Sequence, residues 1–190
     1  MCIVLEEIER IIVGDSGEVF EDGMESRFSR KLVVLIERYG DEAIDAIAEL
    51  IRQRRMNVEN VAEAMRWLGH IEHPPTHHKR LQLLMRGLVD EEYSVRDGAI
   101  LGLESLDSPE AIPALESAIP NEKYPELRCD MQALVEELYR YRIPTEYELR
   151  VARLTNTPTR GFCVSWDIEQ ITAESYKHLY DPEEFELPEI

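Results

Sequence analysis

The chain has 190 residues, 44% of them hydrophobic, which is enough for one domain-sized core and too many for global disorder. Its 39 acidic residues outnumber 21 basic ones, for a formal charge of −18. That charge argues against general nucleic-acid binding, where Lys and Arg must meet phosphate, and against an anionic membrane surface; it favours a protein partner with a basic face.

In the segment Met1-Cys2-Ile3-Val4-Leu5-Glu6-Glu7, acids follow a short apolar run directly and no basic region precedes it, unlike a signal peptide. No stretch approaches the roughly 18–20 apolar residues of a membrane span. Cys2, Cys129 and Cys163 are widely separated and form no C-x-x-C pair. They predict neither a disulfide framework nor a thiolate zinc site, and Cys129 reads as a small core residue. The expectation is a reduced, cytoplasmic protein. Residues 1–24 read as an N-terminal cap and loop, with Leu5, Ile8, Ile11 and Ile12 on one helical stripe. A hairpin pairing 11–13 with 19–20 is the alternative.

Residues 25–140 carry apolar residues at spacings of three and four, the helical period. The stripes are Phe28, Leu32, Leu35, Ile36; Ile44, Ile47, Ala48, Ile51; Val58, Val61, Ala62, Met65, Leu68; and Leu81, Leu84, Met85, Leu88. Val95, Ala99, Leu103, Leu106 follow, then Ile112, Leu115, Ile119 and finally Leu127, Met131, Leu134, Val135, Leu138. Between them lie helix-terminus residues. Gly40-Asp41 ends one helix and starts the next, Asn57 and Ser94 are candidate N-caps, and Ser108-Pro109 pairs a cap with proline at the first helical position. Pro74-Pro75 and Pro120 stop helices. Such short connections require antiparallel neighbours.

The stripes repeat. Val58-x-x-x-Ala62, Val95-x-x-x-Ala99 and Leu127-x-x-x-Met131 start 37 and 32 residues apart. In an all-helical chain that period predicts stacked helix pairs, each burying what it cannot bury alone; an ordinary helical bundle with accidental similarity is the alternative. The run Val95-Arg96-Asp97-Gly98-Ala99, continuing through Leu103 and Leu106 to Asp107-Ser108-Pro109-Glu110-Ala111-Ile112-Pro113-Ala114-Leu115, resembles a HEAT-like repeat. Residues 40–47 look like the turn and second helix of an earlier repeat; 58–69 and 127–138 match the first helix more loosely. The resemblance implies an all-α, HEAT-like α-solenoid of about eight to ten helices, with the second helix of each pair on the concave side. It is nearly silent on function, because such repeats serve scaffolds, inhibitors, lyase subunits and some enzymes.

Residues 141–190 leave the repeat as a C-terminal extension. Helices are expected near 145–154 and 168–180, with a β-strand at 161–166 and an acidic tail.

Four histidines, His70, His73, His77 and His78, fall within nine residues and are the metal candidates. Pro74-Pro75 interrupts them, only Glu72 adds a nearby carboxylate, and no H-E-x-x-H occurs. Iron-binding HEAT-like enzymes use His-Glu dipeptides, which this sequence lacks. A polar inter-helix loop is the simpler reading, and no cofactor is expected. Arg52, Arg54 and Arg55 are the one tight basic cluster, at a helix C-terminus that suits cations. Trp67 and Trp166 read as packing residues rather than base-stacking ones. No phosphate-binding glycine motif and no nucleophile elbow is present.

The expected function is therefore non-catalytic protein binding, sharpest as an inhibitor or immunity-type protein masking a basic surface. An assembly or lyase-type subunit and a metal-binding enzyme are the alternatives. The partner-binding candidates are Asp45, Glu49, Glu110 and Glu116 on second helices, with Lys79, Arg80 and Arg86 as a basic interruption that would orient the partner.

Overall fold

The computed structural model describes residues 2–12, 20 and 24–141, all within the compact unit Met1–Ile143. The strand and helices expected beyond residue 141, Trp166 and the acidic tail lie outside the described residues.

Eight α-helices account for the described fold: Cys2–Ile12 (α1), Arg27–Tyr39 (α2), Asp41–Arg52 (α3), Val58–His70 (α4), His77–Gly87 (α5), Tyr93–Leu106 (α6), Ile112–Ala118 (α7) and Pro125–Tyr141 (α8). Short 3-10 turns form at Pro74–Thr76, Pro109–Ala111 and Ile119–Asn121; the first and last fall where proline is expected to stop a helix, and the second where Ser108-Pro109 is expected to start one. Of the two expectations for the N-terminal residues, the helix forms: Ile8 and Ile12 are buried, and Leu5 and Ile11 pack against the core.

The helix ends follow local chemistry. The Ser26 hydroxyl accepts from the Ser29 amide at 2.9 Å, and Ser29 returns the bond by accepting from the Ser26 amide at 2.9 Å. The Asn57 carboxamide accepts from the Asn60 amide at 2.7 Å, as a cap for α4 should. Gly40 ends α2 and starts α3 in a single residue. Its φ of 55° and ψ of −128° belong to glycine territory, which permits a connection this short. Ser94 is not the cap of α6; Glu92 takes that position, and Asp90 accepts from the Glu92 amide at 3.0 Å.

Packing joins like with like. α2 packs on α4, α4 on α6 and α6 on α8, while α3 packs on α5 and α1 covers α3 and α2. The most extensive pairing is α4 with α6. Its cause is three glycines. A Cβ on Gly69 would lie 2.0 Å from the Gly102 carbonyl oxygen, one on Gly98 would lie 2.3 Å from that of Ala62, and one on Gly102 would lie 2.3 Å from that of Met65. Backbone meets backbone there, closer than any side chain allows.

The predicted stripes supply the core: Leu32, Ile36, Ile47, Leu68, Leu84, Leu103, Leu115, Met131 and Leu138 are all fully buried. Cys129 is a correction, because it is exposed. On α8 the buried positions are Leu127, Met131, Leu134, Val135 and Leu138. Cys129 lies two residues from both Leu127 and Met131, which turns it to the opposite face.

Candidate functional site

α3 and α5, the second helices of their pairs, flank a groove of about 430 Å³. Its lining includes Ala48, Ile51, Met65, Leu83 and Gly87, with Asp45, Glu49, Arg52, Arg86 and Asp90 as the polar groups. Met65 and Leu83 are buried, whereas Asp45, Arg52 and Arg86 are exposed. The groove thus combines an apolar base with charged edges of both signs.

Ion pairs fix the α3 side. Lys79, at the start of α5, donates to the Asp45 carboxylate and lies 3.9 Å from Asp41, tying the two helices together. Glu49 accepts from Arg52 Nε at 2.7 Å and from Gln53. The Arg52 bond, then the Gln53 bond, holds the Glu49 carboxyl below its usual range. Glu49 is therefore charged at neutral pH but partly neutralised by its own helix.

Asp45, Glu49, Lys79 and Arg86 are accordingly gathered around one groove. Glu110 and Glu116 are not part of it: Glu110 lies exposed in the 3-10 turn before α7, and Glu116 on α7 accepts from the Tyr139 hydroxyl at 3.1 Å. Arg80 is a correction. Expected at the partner surface, it is instead only 2% exposed. Its guanidinium donates to the Leu68 carbonyl at 2.6 Å, to the Thr76 hydroxyl at 3.2 Å and to the His73 carbonyl at 3.4 Å. It satisfies the Leu68 carbonyl in the last turn of α4, a group that a helix leaves without an internal partner. Burial pushes its pKa down from the ordinary arginine value.

The histidines are dispersed among separate partners. His70 Nε2 lies 3.2 Å from the Ser105 hydroxyl, His73 Nδ1 3.1 Å from the Thr76 hydroxyl, and His78 Nε2 2.7 Å from Gln82. Among the described residues no three His, Cys, Asp or Glu side chains form a group able to hold a metal ion. The arginine cluster is engaged with carboxylates: Arg52 with Glu49, Arg54 with Glu91 at 3.1 Å, and Arg55 with Glu9. Trp67 is half-buried and packs against the core, with its ring centroid 5.2 Å from that of His70 and the planes tilted by 51°.

Residues 44–134 match the family model described as HEAT repeats. This stretch of the chain is HEAT-like repeat. The match runs from residue 44 in α3 through most of α8, so it includes the groove-lining residues of both walls. Searches among curated proteins and among solved structures found no significant match. HEAT repeats generally mediate protein–protein interaction, and proteins built from them are generally non-catalytic scaffolds. No helix among the described residues is long and apolar enough to cross a membrane.

Sequence reasoning missed two features. One is the Gly69, Gly98 and Gly102 contact; the Gly98-x-x-x-Gly102 spacing inside a helical stripe was its signal. The other is the exposed pair Tyr93 and Tyr124, which no spacing rule joins because one opens α6 and the other precedes α8.

Proposed function

We propose that this protein is a non-catalytic binding module whose helix pairs stack as a solenoid. The α3–α5 groove and the acidic groups around it receive a basic protein surface. The sharpest form of the proposal is an inhibitor or immunity-type protein that covers the basic surface of a nuclease or toxin. The carrying observation is the groove itself: apolar Ala48, Ile51 and Leu83 on the second helices of adjacent pairs, beside the carboxylates of Asp45, Glu49 and, just after α5, Asp90, with Arg52 and Arg86 also in its lining.

One argument supports the occupant's sign and a second its orientation. The whole chain carries −18, so encounter with a basic protein is accelerated and encounter with another acidic one is opposed. Arg86 and Lys79 interrupt the negative field, and a like-charged group placed against them is penalised, which fixes orientation. A stable interface covers roughly 800 Å² on each partner, more than this groove offers, so the contact extends onto surrounding surface. Glu110 and Glu116 belong to that wider surface in this proposal.

The test is the association rate of the full chain with its captured partner at rising ionic strength. Charge steering predicts a steep fall in rate between low and physiological salt, with a much smaller change in dissociation. Association rates independent of salt would contradict it.

A further inference from the structure

Two exposed tyrosines, neither of which lines the groove, meet edge to face. Tyr93 opens α6, Tyr124 immediately precedes α8, and their ring centroids are 4.9 Å apart with planes at 72°. They are 41% and 47% exposed. Large rings held in water are characteristic of surfaces that a partner covers, because tyrosine offers apolar area and a hydrogen-bonding tip at low entropic cost.

The surroundings define which partner group fits. Asp97 lies one turn after Tyr93 on α6, and Glu126 and Asp130 lie one turn apart on α8, which packs on α6. Glu126 and Asp130 are exposed. Partial burial, followed by the fields of Asp97, Glu126, Asp130 and Glu122, raises the Tyr93 phenol above its ordinary pKa, so these carboxylates bear on that ring.

The protein already binds one guanidinium in this way. Arg96 stands 5.7 Å over the Tyr124 ring and donates to both oxygens of Glu122, at 2.7 Å from Nε and 3.0 Å from Nη2. A tyrosine face plus a carboxylate is the recognition set for a planar cation. Tyr93, Glu126 and Asp130 supply the same residue types at the surface, exposed on α6 and on α8, which packs against it.

We propose that Tyr93 and Tyr124, with Asp97, Glu126 and Asp130, form a docking site for an arginine side chain presented by a basic segment of a protein partner. The site rests on the reading of this chain as a binder of basic proteins, but it shares no residue with the lining of the α3–α5 groove and can fail alone.

The probe is a 12-residue Arg-Gly-Ser peptide, titrated into the full chain while the tyrosine ring protons are followed by NMR. The same peptide with Glu in place of Arg is the control. The expected result is saturable shifts at the Tyr93 and Tyr124 rings with the arginine peptide alone. Tyr93→Ala is expected to weaken binding about two- to fivefold, the size of an exposed cation–π contact. Glu126→Lys with Asp130→Lys, both at exposed positions, is expected to weaken it further, whereas Asp45→Lys leaves the tyrosine shifts unchanged. Unmoved rings, or equal affinity for the Tyr93→Ala chain, would overturn the proposal. Ring shifts that follow protein concentration alone, with a dimer in sedimentation, would also overturn it, because a second copy would then be the occupant. If the captured partner binds the Tyr93→Ala chain at full strength, this site fails while the protein-binding reading stands. If no partner is captured at all, that reading fails independently of the peptide result.

Discussion

Gly98→Ala is expected to destabilise this protein, although the same change inside a helix normally helps. Helix propensity alone favours alanine by about 0.5–1 kcal/mol. Here the new Cβ would sit 2.3 Å from the Ala62 carbonyl oxygen, 3.1 Å from its carbon and 3.2 Å from the Ala62 Cα. All three are backbone atoms, so no rotamer change relieves the contact, and α4 and α6 must separate by about 1 Å in an interior packed to crystal-like density. Overpacking costs about 1–3 kcal/mol, and a backbone clash belongs at the upper end. The net loss is then about 2 kcal/mol, or roughly 4–8 °C in Tm for a chain of this size. Urea and thermal unfolding followed by far-UV circular dichroism measures it. A Gly98→Ala chain as stable as the native one, or more stable, would refute the close approach of α4 and α6.

Other substitutions test other joints. Arg96 and Glu122 form a buried pair, and Arg96 also donates to the carbonyls of Asp90 at 2.9 Å and Glu91 at 3.1 Å; Arg96→Met is expected to cost about 3 kcal/mol in urea unfolding. The Arg96 bond holds the Glu122 carboxyl below its usual range. Its stabilisation is therefore complete above the unfolded carboxylate pKa and lost as pH falls through the lower folded value. A Glu122→Gln chain should be less stable at neutral pH and lose less stability on acidification, as read from Tm against pH. Arg80→Met removes the donors to Leu68, Thr76 and His73 and should cost about 1–3 kcal/mol in the same unfolding assay. Asn57→Ala should cost about 1 kcal/mol, because the first turn of α4 loses its cap.

The helical core was legible because a stripe of period 3.6 depends only on which face is apolar. Ile44, Ile47, Leu81, Leu84, Leu127 and Met131 are buried where their spacing puts them. Asn57 and Gly40 were legible because caps and reversals are local. The misplaced residues depend on contacts far away in sequence. Arg80 looks like surface beside Lys79, yet α5 is buried on two sides, and Arg80, Leu83 and Gly87 form its second buried stripe. Ser94 has the right chemistry for a cap, but Arg96, bonded to Glu122 and to the carbonyls of Asp90 and Glu91, anchors the chain where α6 begins, one turn away. Of the surface candidates, Asp45, Glu49 and Arg86 share a groove because α3 and α5 pack together, while Glu110 and Glu116 belong to the next pair. Charge counting could not make that division, since it carries no information about which helices are neighbours.

The most direct test of the protein-binding account is quantitative capture from extract on the immobilised full chain. The native sequence is compared with an Asp45→Lys, Glu49→Lys chain at low and moderate salt. The account predicts one stoichiometric basic protein on the native chain, less of it at moderate salt, and its loss from the charge-reversed chain. Equal retention by both chains, or no stoichiometric partner at either salt, would contradict it.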